Sequence, residues 1–201
     1  MWEFLYSIKV LKVESLWRKK LGKSMTKIIV LDRDGVINED SDAFIKSADE
    51  WLPVPGSIEA IRRLKKAGWK VAIATNQSGI KRGYYSRATL SAMHQKFMQL
   101  LDGEQIDWIS YSPYLSEDNS PSRKPATGML SAIEKRFDCC LKGAPMVGDT
   151  LADIKVAKAK AMQPYLVKTG KGLRTLATDD KVVEGVPVFA DLQAVVEELL
   201  A

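Results

Sequence analysis

Short Ile- and Val-rich runs take turns along this chain with stretches of helical periodicity. Residues 27–31 (KIIVL) form the first run. After a loop, Ile58, Ile61 and Leu64 fall at helical spacing within 57–67, and Gly68 marks the end of that helix. Residues 71–74 predict the next strand, and Ser86 supplies the N-cap of a helix reaching about residue 101. A third strand is expected at 106–111, a helix at 127–137 and a fourth strand at 145–147. Helical pattern resumes over 151–161, strand pattern over 165–167, and Asp191 caps a last helix through 200. This alternation argues for an α/β protein built on a doubly wound parallel sheet with right-handed crossovers. Ligands of such sheets sit beyond the carboxyl ends of the strands, so the residues that follow each strand carry the chemistry.

Residues 1–24 read differently. Trp2, Phe4, Leu5, Ile8, Leu11, Leu16 and Trp17 recur at near-helical spacing, and Arg18, Lys19, Lys20 and Lys23 follow. Glu3 precedes any basic side chain, and Lys9, Lys12 and Glu14 interrupt the apolar run, so the segment makes a poor signal peptide. The two remaining readings are a basic amphipathic helix and a leader ahead of a start at Met25; the leader is favoured, with the folded domain at 25–201. The intervals 34–57 and 75–124 are too short to hold a separate lid, so a capless or minimally capped domain is expected. Loops 38–50, 80–85 and 113–125 would then set specificity.

Composition narrows the class only a little. Hydrophobic residues make up 46% of the 201 and charged residues 27%, which is ordinary for a globular chain. No apolar stretch approaches the roughly 20 residues needed to span a bilayer, so no stable membrane insertion is expected. The net charge of +5 would attract nucleic acid and a phosphorylated small molecule alike. Cys139 and Cys140 are neighbours, a poor geometry for a structural bridge, and read as reduced thiols of a cytoplasmic protein. His94, the sole histidine, shares a helical stripe with Leu90, Met93, Phe97 and Leu101 and reads as a packing residue.

The strand ends are rich. The first ends in Asp32-Arg33-Asp34-Gly35, and two carboxylates at i and i+2 can face one cavity while the glycine lets the chain bend. The second ends in Thr75-Asn76-Gln77-Ser78-Gly79, Lys124 follows Arg123 in the long loop, and the fourth strand ends in Gly148-Asp149-Thr150, with Asp153 a helical turn further on. Each piece alone has a bland reading, as a turn, a cap or a solvated basic pair. All four in this order at successive strand ends form a phosphoryl-transfer site, where a cation and fixed donors must offset the charge of a phosphate ester. Mg²⁺ suits Asp32, Asp149 and a backbone carbonyl near Asp34. Asp32 can attack phosphorus to give an acyl-phosphate that water then hydrolyses. Asp34 can protonate the leaving oxygen and later activate that water, while Thr75 and Lys124 hold the non-bridging oxygens.

These four motifs resemble those of the haloacid dehalogenase superfamily, whose fold is Rossmann-like. Within it the sequence is most similar to the D-glycero-D-manno-heptose 1,7-bisphosphate 7-phosphatase branch, with the histidinol-phosphatase branch nearby. The resemblance covers about residue 26 to the C-terminus. It implies an Asp32 nucleophile, an Asp34 acid/base, Mg²⁺ on Asp32, Asp34 and Asp149, and phosphate held by Thr75 and Lys124. It also implies substrate contacts from Asp40, Ser41, Asp42 and Ala43, from Asn76, Gln77 and Ser78, and from Arg123. Many members bind zinc through a Cys- and His-bearing loop before the Arg-Lys-Pro motif. Ser112, Tyr114, Ser120 and Ser122 stand at those positions here, so no zinc is expected. Thr150 stands where a lysine is common in the heptose enzymes.

The expected function is therefore a cytoplasmic, Mg²⁺-dependent phosphomonoesterase acting on a small phosphorylated sugar as a monomer. Removal of the 7-phosphate of the heptose bisphosphate is the leading candidate, and histidinol phosphate or another small metabolite the next. An open site and a basic chain also fit a nucleic-acid-end phosphatase, but no strip of interleaved aromatic and basic residues favours nucleic acid. A binding module with a decayed site is hard to reconcile with Asp32, Asp34, Lys124 and Asp149 all present.

Overall fold

The computed structural model describes residues 27–201, and the reading of residues 1–24 lies outside the described residues. Six strands form one parallel sheet. In chain order they are β1 (Ile28–Leu31), β2 (Lys70–Asn76), β3 (Trp108–Ser112), β4 (Pro145–Gly148), β5 (Gln163–Val167) and β6 (Val188–Phe189), and their spatial order is β3-β2-β1-β4-β5-β6. The connecting helices are α1 (Ser57–Lys66), α2 (Arg87–Leu100), α3 (Gly128–Phe137), α4 (Leu151–Ala159), α5 (Gly172–Leu176) and α6 (Leu192–Leu200). This is the doubly wound α/β arrangement that the apolar alternation predicts.

Successive residues of a strand point to opposite faces, and both faces here are covered, which is why β1 reads as an unbroken apolar run. Ile29 and Leu31 pack with Val71 and Ile73 in one core, against Ala60, Ile61 and Leu64 of α1, Leu90, Met93 and Phe97 of α2, and Val195 and Val196 of α6. Ile28 and Val30 pack with Ala72 and Ala74 in the other, against Met129, Leu130 and Ile133 of α3 and Val156 and Ala157 of α4. Two helix starts follow the sequence closely: the Ser86 hydroxyl accepts from the Thr89 N–H at 3.0 Å, and the Asp191 carboxylate from the Ala194 N–H at 2.9 Å.

The differences from the sequence reading have local causes. Residue 107 stays outside β3 because its carboxylate turns inward, accepting the Val71 N–H at 2.8 Å and the Lys65 ammonium at 2.5 Å. The strand therefore starts at Trp108. Helix α4 stops at Ala159, just before Ala161 takes a φ of 53°. The pair of residues in β6 and the single turn of α5 are too short to leave a periodic signal.

Because β1 turns to β2 on one side and neighbours β4 on the other, the chain order reverses between β1 and β4. The Asp32 N–H donates to the Val147 carbonyl at 2.9 Å, so these two strands deliver their last residues side by side. Between β1 and α1 the described chain forms a loop with only isolated bridges, Asp34 to Asn38 and Asn38 to Pro53, and no inserted lid.

Helix α2 yields two expectations. The Phe97 ring is fully buried, 5.5 Å from the Trp51 ring, so Phe97→Ala should cost about 3–5 kcal/mol, measured by urea unfolding. His94 is half-buried on the same helix. Burial, helped by the nearby Arg33 charge and opposed by Asp34, pushes its imidazole down to about 4 from 6.5. The unfolded chain therefore takes up a proton that the folded one refuses, and stability falls as pH drops from 6.5 to about 4. Urea unfolding of His94→Gln across that window should show a flatter dependence on pH than the parent chain.

Candidate active site

A cavity of about 370 Å³ lies at the carboxyl ends of β1, β2 and β4. Asp32, Asp34, Thr75, Lys124, Asp149, Asp40, Ser41, Asp42, Asn76, Gln77, Ser78 and Arg123 all line it. Among the residues expected from the sequence, Ala43 alone is missing from the lining. It is exposed, and its N–H turns back to the Ser41 hydroxyl at 3.1 Å.

At the floor, Lys124 is almost completely buried and lies between two carboxylates. Its ammonium is 2.9 Å from Asp32 and 2.6 Å from Asp153. Burial works against this charge, but Asp153 and Asp32 outweigh it and hold the ammonium well above the usual lysine range. The backbone of Lys124 is fixed by Asn76, whose amide donates to the Lys124 carbonyl and accepts the Lys124 N–H, both at 3.0 Å. The peptide between Lys124 and Pro125 is cis.

Asp32, Asp149 and Asp153 present carboxylate oxygens within 4.8 Å of one another. Burial above all, and then the neighbouring carboxylates, push the proton affinities of Asp32 and Asp149 up, although Lys124 opposes this at Asp32. Three buried carboxylates facing one another with a single ammonium between two of them is a donor set that fits a hard, oxygen-seeking cation such as Mg²⁺. Room at Asp149 depends on two glycines. Gly35 (φ 81°) and Gly170 (φ 57°) both pack against its carboxylate, and a Cβ at either position would collide with it.

Asp34 faces a different set of partners. Arg33 reaches it through two nitrogens, with contacts of 2.8, 3.0 and 3.1 Å, Asn38 donates at 2.9 Å and Gln77 at 2.7 Å. Burial alone would raise its proton affinity; the Arg33 charge and these hydrogen bonds overcome that and hold the carboxyl below its usual range. Gln77 also donates to the Thr75 hydroxyl at 2.9 Å and accepts from Arg33 at 3.1 Å and from the Tyr85 hydroxyl at 2.6 Å. The side chains of Asn76 and Gln77 are thus spent on positioning Lys124, Thr75 and Asp34.

Several site residues escape a reading by motif. Arg33 sits inside the first motif, yet its side chain is buried against Asp34 and Gln77. Asp153 is visible one turn beyond Asp149, but nothing local says that it faces Lys124. Lys171 follows β5, and only the strand-end rule could have flagged it. Its N–H donates to Asp149 at 2.7 Å, and its ammonium lies 2.6 Å from Asp40.

In the loop before Arg123, the Ser122 hydroxyl donates to Ser112 at 3.2 Å and lies 3.0 Å from that of Ser120. Tyr114 is exposed, and its carbonyl accepts from Arg123 at 2.9 Å. Three of the four positions considered for zinc do converge, as hydroxyls bonded to one another.

A family model described as a haloacid dehalogenase-like hydrolase matches residues 9–159. A Pseudomonas putida protein named D-glycero-beta-D-manno-heptose-1,7-bisphosphate 7-phosphatase is 50% identical over 176 residues, which is 87% of this chain and 99% of that protein. The crystal structure of D,D-heptose 1,7-bisphosphate phosphatase from Bordetella bronchiseptica, complexed with magnesium and phosphate, is similar with a TM-score of 0.83. It is 48% identical and covers 87% of this chain and 98% of that one. The phosphatase of the same name from Burkholderia thailandensis is 41% identical with a TM-score of 0.68, covering 87% of this chain and 99% of that one. With a model match across most of the chain and relatives aligned along nearly their whole length, this chain belongs to the haloacid dehalogenase-like hydrolase family.

Proposed function

We propose that the chain is a Mg²⁺-dependent phosphomonoesterase that removes the 7-phosphate of D-glycero-D-manno-heptose 1,7-bisphosphate through an aspartyl-phosphate on Asp32. The observation that carries the chemistry is Asp32 held at the cavity floor, 2.9 Å from the buried Lys124 ammonium. The substrate assignment rests on relatives of that name, 48–50% identical over 87% of this chain.

Asp32, Asp149 and the Asp34 backbone carbonyl would hold Mg²⁺, which supplies positive charge against the non-bridging oxygens of the phosphate. The chain's own residues do the rest. A carboxylate oxygen of Asp32 forms a bond to phosphorus as the bond to the sugar oxygen breaks, and water later cleaves the acyl-phosphate. Lys124 and the Thr75 hydroxyl stabilise the phosphoryl oxygens, and Gln77 fixes the Thr75 hydroxyl for that task. The sugar alkoxide is a poor leaving group and takes a proton from Asp34. In the arrangement described, Asp34 is held ionised by Arg33, Asn38 and Gln77, so acid catalysis needs its carboxyl to leave Arg33, take up a proton from solvent water and face the ester. Arg123 and the Asp40–Asp42 turn supply sugar contacts.

The test is phosphate release from the heptose bisphosphate, histidinol phosphate and a 3′-phosphorylated oligonucleotide, for the parent chain and Asp32→Asn. We expect preference for the heptose ester with Mg²⁺ and a loss of at least about 10³-fold in kcat for the variant. Preference for either other ester would overturn the substrate, and near-parental turnover by metal-replete Asp32→Asn would overturn the mechanism.

We further infer a zinc-free loop, since the hydroxyls of Ser112, Ser120 and Ser122 bond to one another and lack the thiolate or imidazole that zinc prefers. Elemental analysis of protein purified without chelator should find no stoichiometric zinc. One zinc per chain would refute this.

A further inference from the structure

Loop 39–50 forms one wall of the cavity and is tied down at three places. Near its end, Lys96 of α2 donates to the carbonyls of Ala48 and Trp51 at 2.7 and 2.8 Å. On one flank the Phe44 ring meets Tyr84 edge-on, with centroids 5.0 Å apart. On the other flank the attachment is ionic. The Lys171 ammonium lies 2.6 Å from Asp40 and 4.0 Å from Asp42, and Arg174 holds Asp42 at 2.8 Å.

We propose that Lys171 is a specificity-determining and positioning residue of this site: through Asp40 it fixes the wall that meets the sugar, and through its backbone N–H it fixes Asp149. The inference rests on the phosphatase reading and deepens it.

Three features single out Lys171 from the other surface cations. It lines the cavity and reaches both the substrate loop and a residue of the carboxylate cluster, which Arg174 does not. Its pair with Asp40 is partly sheltered, with side chains 39% and 15% exposed, whereas Arg174 and Asp42 are 68% and 63% exposed and their pair contributes little. Its own backbone is anchored: Gly170 packs on Gly35, and the Thr169 hydroxyl donates to the Gly35 carbonyl at 2.6 Å. The loop after β5 is therefore fixed to the first motif, and Lys171 extends that fixed point to loop 39–50.

The charge balance gives this a consequence for binding. The cavity lining carries Asp32, Asp34, Asp40, Asp42 and Asp149 against Arg33, Arg123, Lys124 and Lys171. Arg33 is taken by Asp34, and Lys124 by Asp32 and Asp153. Lys171 is what cancels Asp40, so that a multiply charged sugar phosphate can approach this wall and offer hydroxyls to a carboxylate whose orientation is set. An aryl phosphate carries no hydroxyls for Asp40 and gains less from the arrangement.

The test combines a double-mutant cycle with amide hydrogen exchange. Lys171→Met should raise KM for the heptose bisphosphate about tenfold, and by a clearly smaller factor for an aryl phosphate, with kcat for the sugar falling by less than about threefold. Lys171→Arg should recover most of the loss. In the cycle with Asp40→Asn, the double variant should match the worse single variant in KM within about twofold, well short of the product of the two effects. Exchange at amides 40–46 should quicken in both Lys171→Met and Asp40→Asn, while the amides of β1 and β4 keep their protection and report an intact fold. Multiplicative effects on KM, equal losses on both esters, or unchanged exchange in loop 39–50 would each overturn the proposal. If the parent chain leaves the heptose bisphosphate intact, the substrate assignment falls, and the exchange comparison still decides whether Lys171 holds the loop.

Discussion

Lys124 carries its ammonium into the interior, 2.9 Å from Asp32 and 2.6 Å from Asp153, and the rest of the site is arranged around keeping it there. A buried cation is tolerated only when its partners are well placed and their remaining lone pairs are satisfied. Asp153 meets that condition by capping its own helix: its second oxygen accepts the Thr150 N–H at 3.1 Å and the Thr150 hydroxyl at 2.5 Å. Asp32 accepts the Arg33 N–H at 2.7 Å on the oxygen that faces Lys124. Asn76 fixes the Lys124 backbone from the end of β2. One ammonium thus couples β1, β2, α4 and the long loop, and loss of either carboxylate would leave it a single charged partner.

A second network, next to the first, does a different job. Arg33 and Gln77 hold Asp34, and Gln77 also holds Thr75 and receives Tyr85. Its members are neutral or paired, so it sets side-chain directions without adding net charge to the cavity. The pull on proton affinity runs in opposite directions at the two aspartates of the first motif, up at Asp32 and down at Asp34, though they are two residues apart. Burial raises both; at Asp32 the neighbouring carboxylates add to it and the shared ammonium offsets only part, whereas at Asp34 the bidentate guanidinium and the hydrogen bonds from Asn38 and Gln77 overcome it. Sequence spacing cannot distinguish them, because both belong to the same tight turn.

Loops form the rim of the cavity. Loop 39–50 is held by an aromatic contact with Tyr84 and by ion pairs to Lys171 and Arg174, both beyond β5. In the loop before Arg123, serine hydroxyls bond to one another, and Lys81 reaches across to Asp118. Apart from the serine pairs, these contacts join side chains across long separations in sequence, and several are exposed, so the rim is held more loosely than the floor.

The apolar alternation by itself determined five strands of the parallel sheet, the longer helices and the strand ends, because a strand covered on both faces reads as a continuous apolar run, as β1 does. Residues fixed by backbone position were legible for the same reason: Asp32 directly follows β1, Thr75 lies within the end of β2, and Asp149 directly follows β4. Short elements without periodicity were not legible, hence the missing β6 and α5. Only the tertiary structure decided who faces whom. That Arg33 turns in to Asp34, that Asp153 shares Lys124 with Asp32, and that Lys171 reaches Asp40 follow from crossover helices and loop paths that bring distant segments together. Charged side chains are long, can satisfy themselves in water, and carry no periodic signature; their partners are chosen by where the packed sheet leaves them.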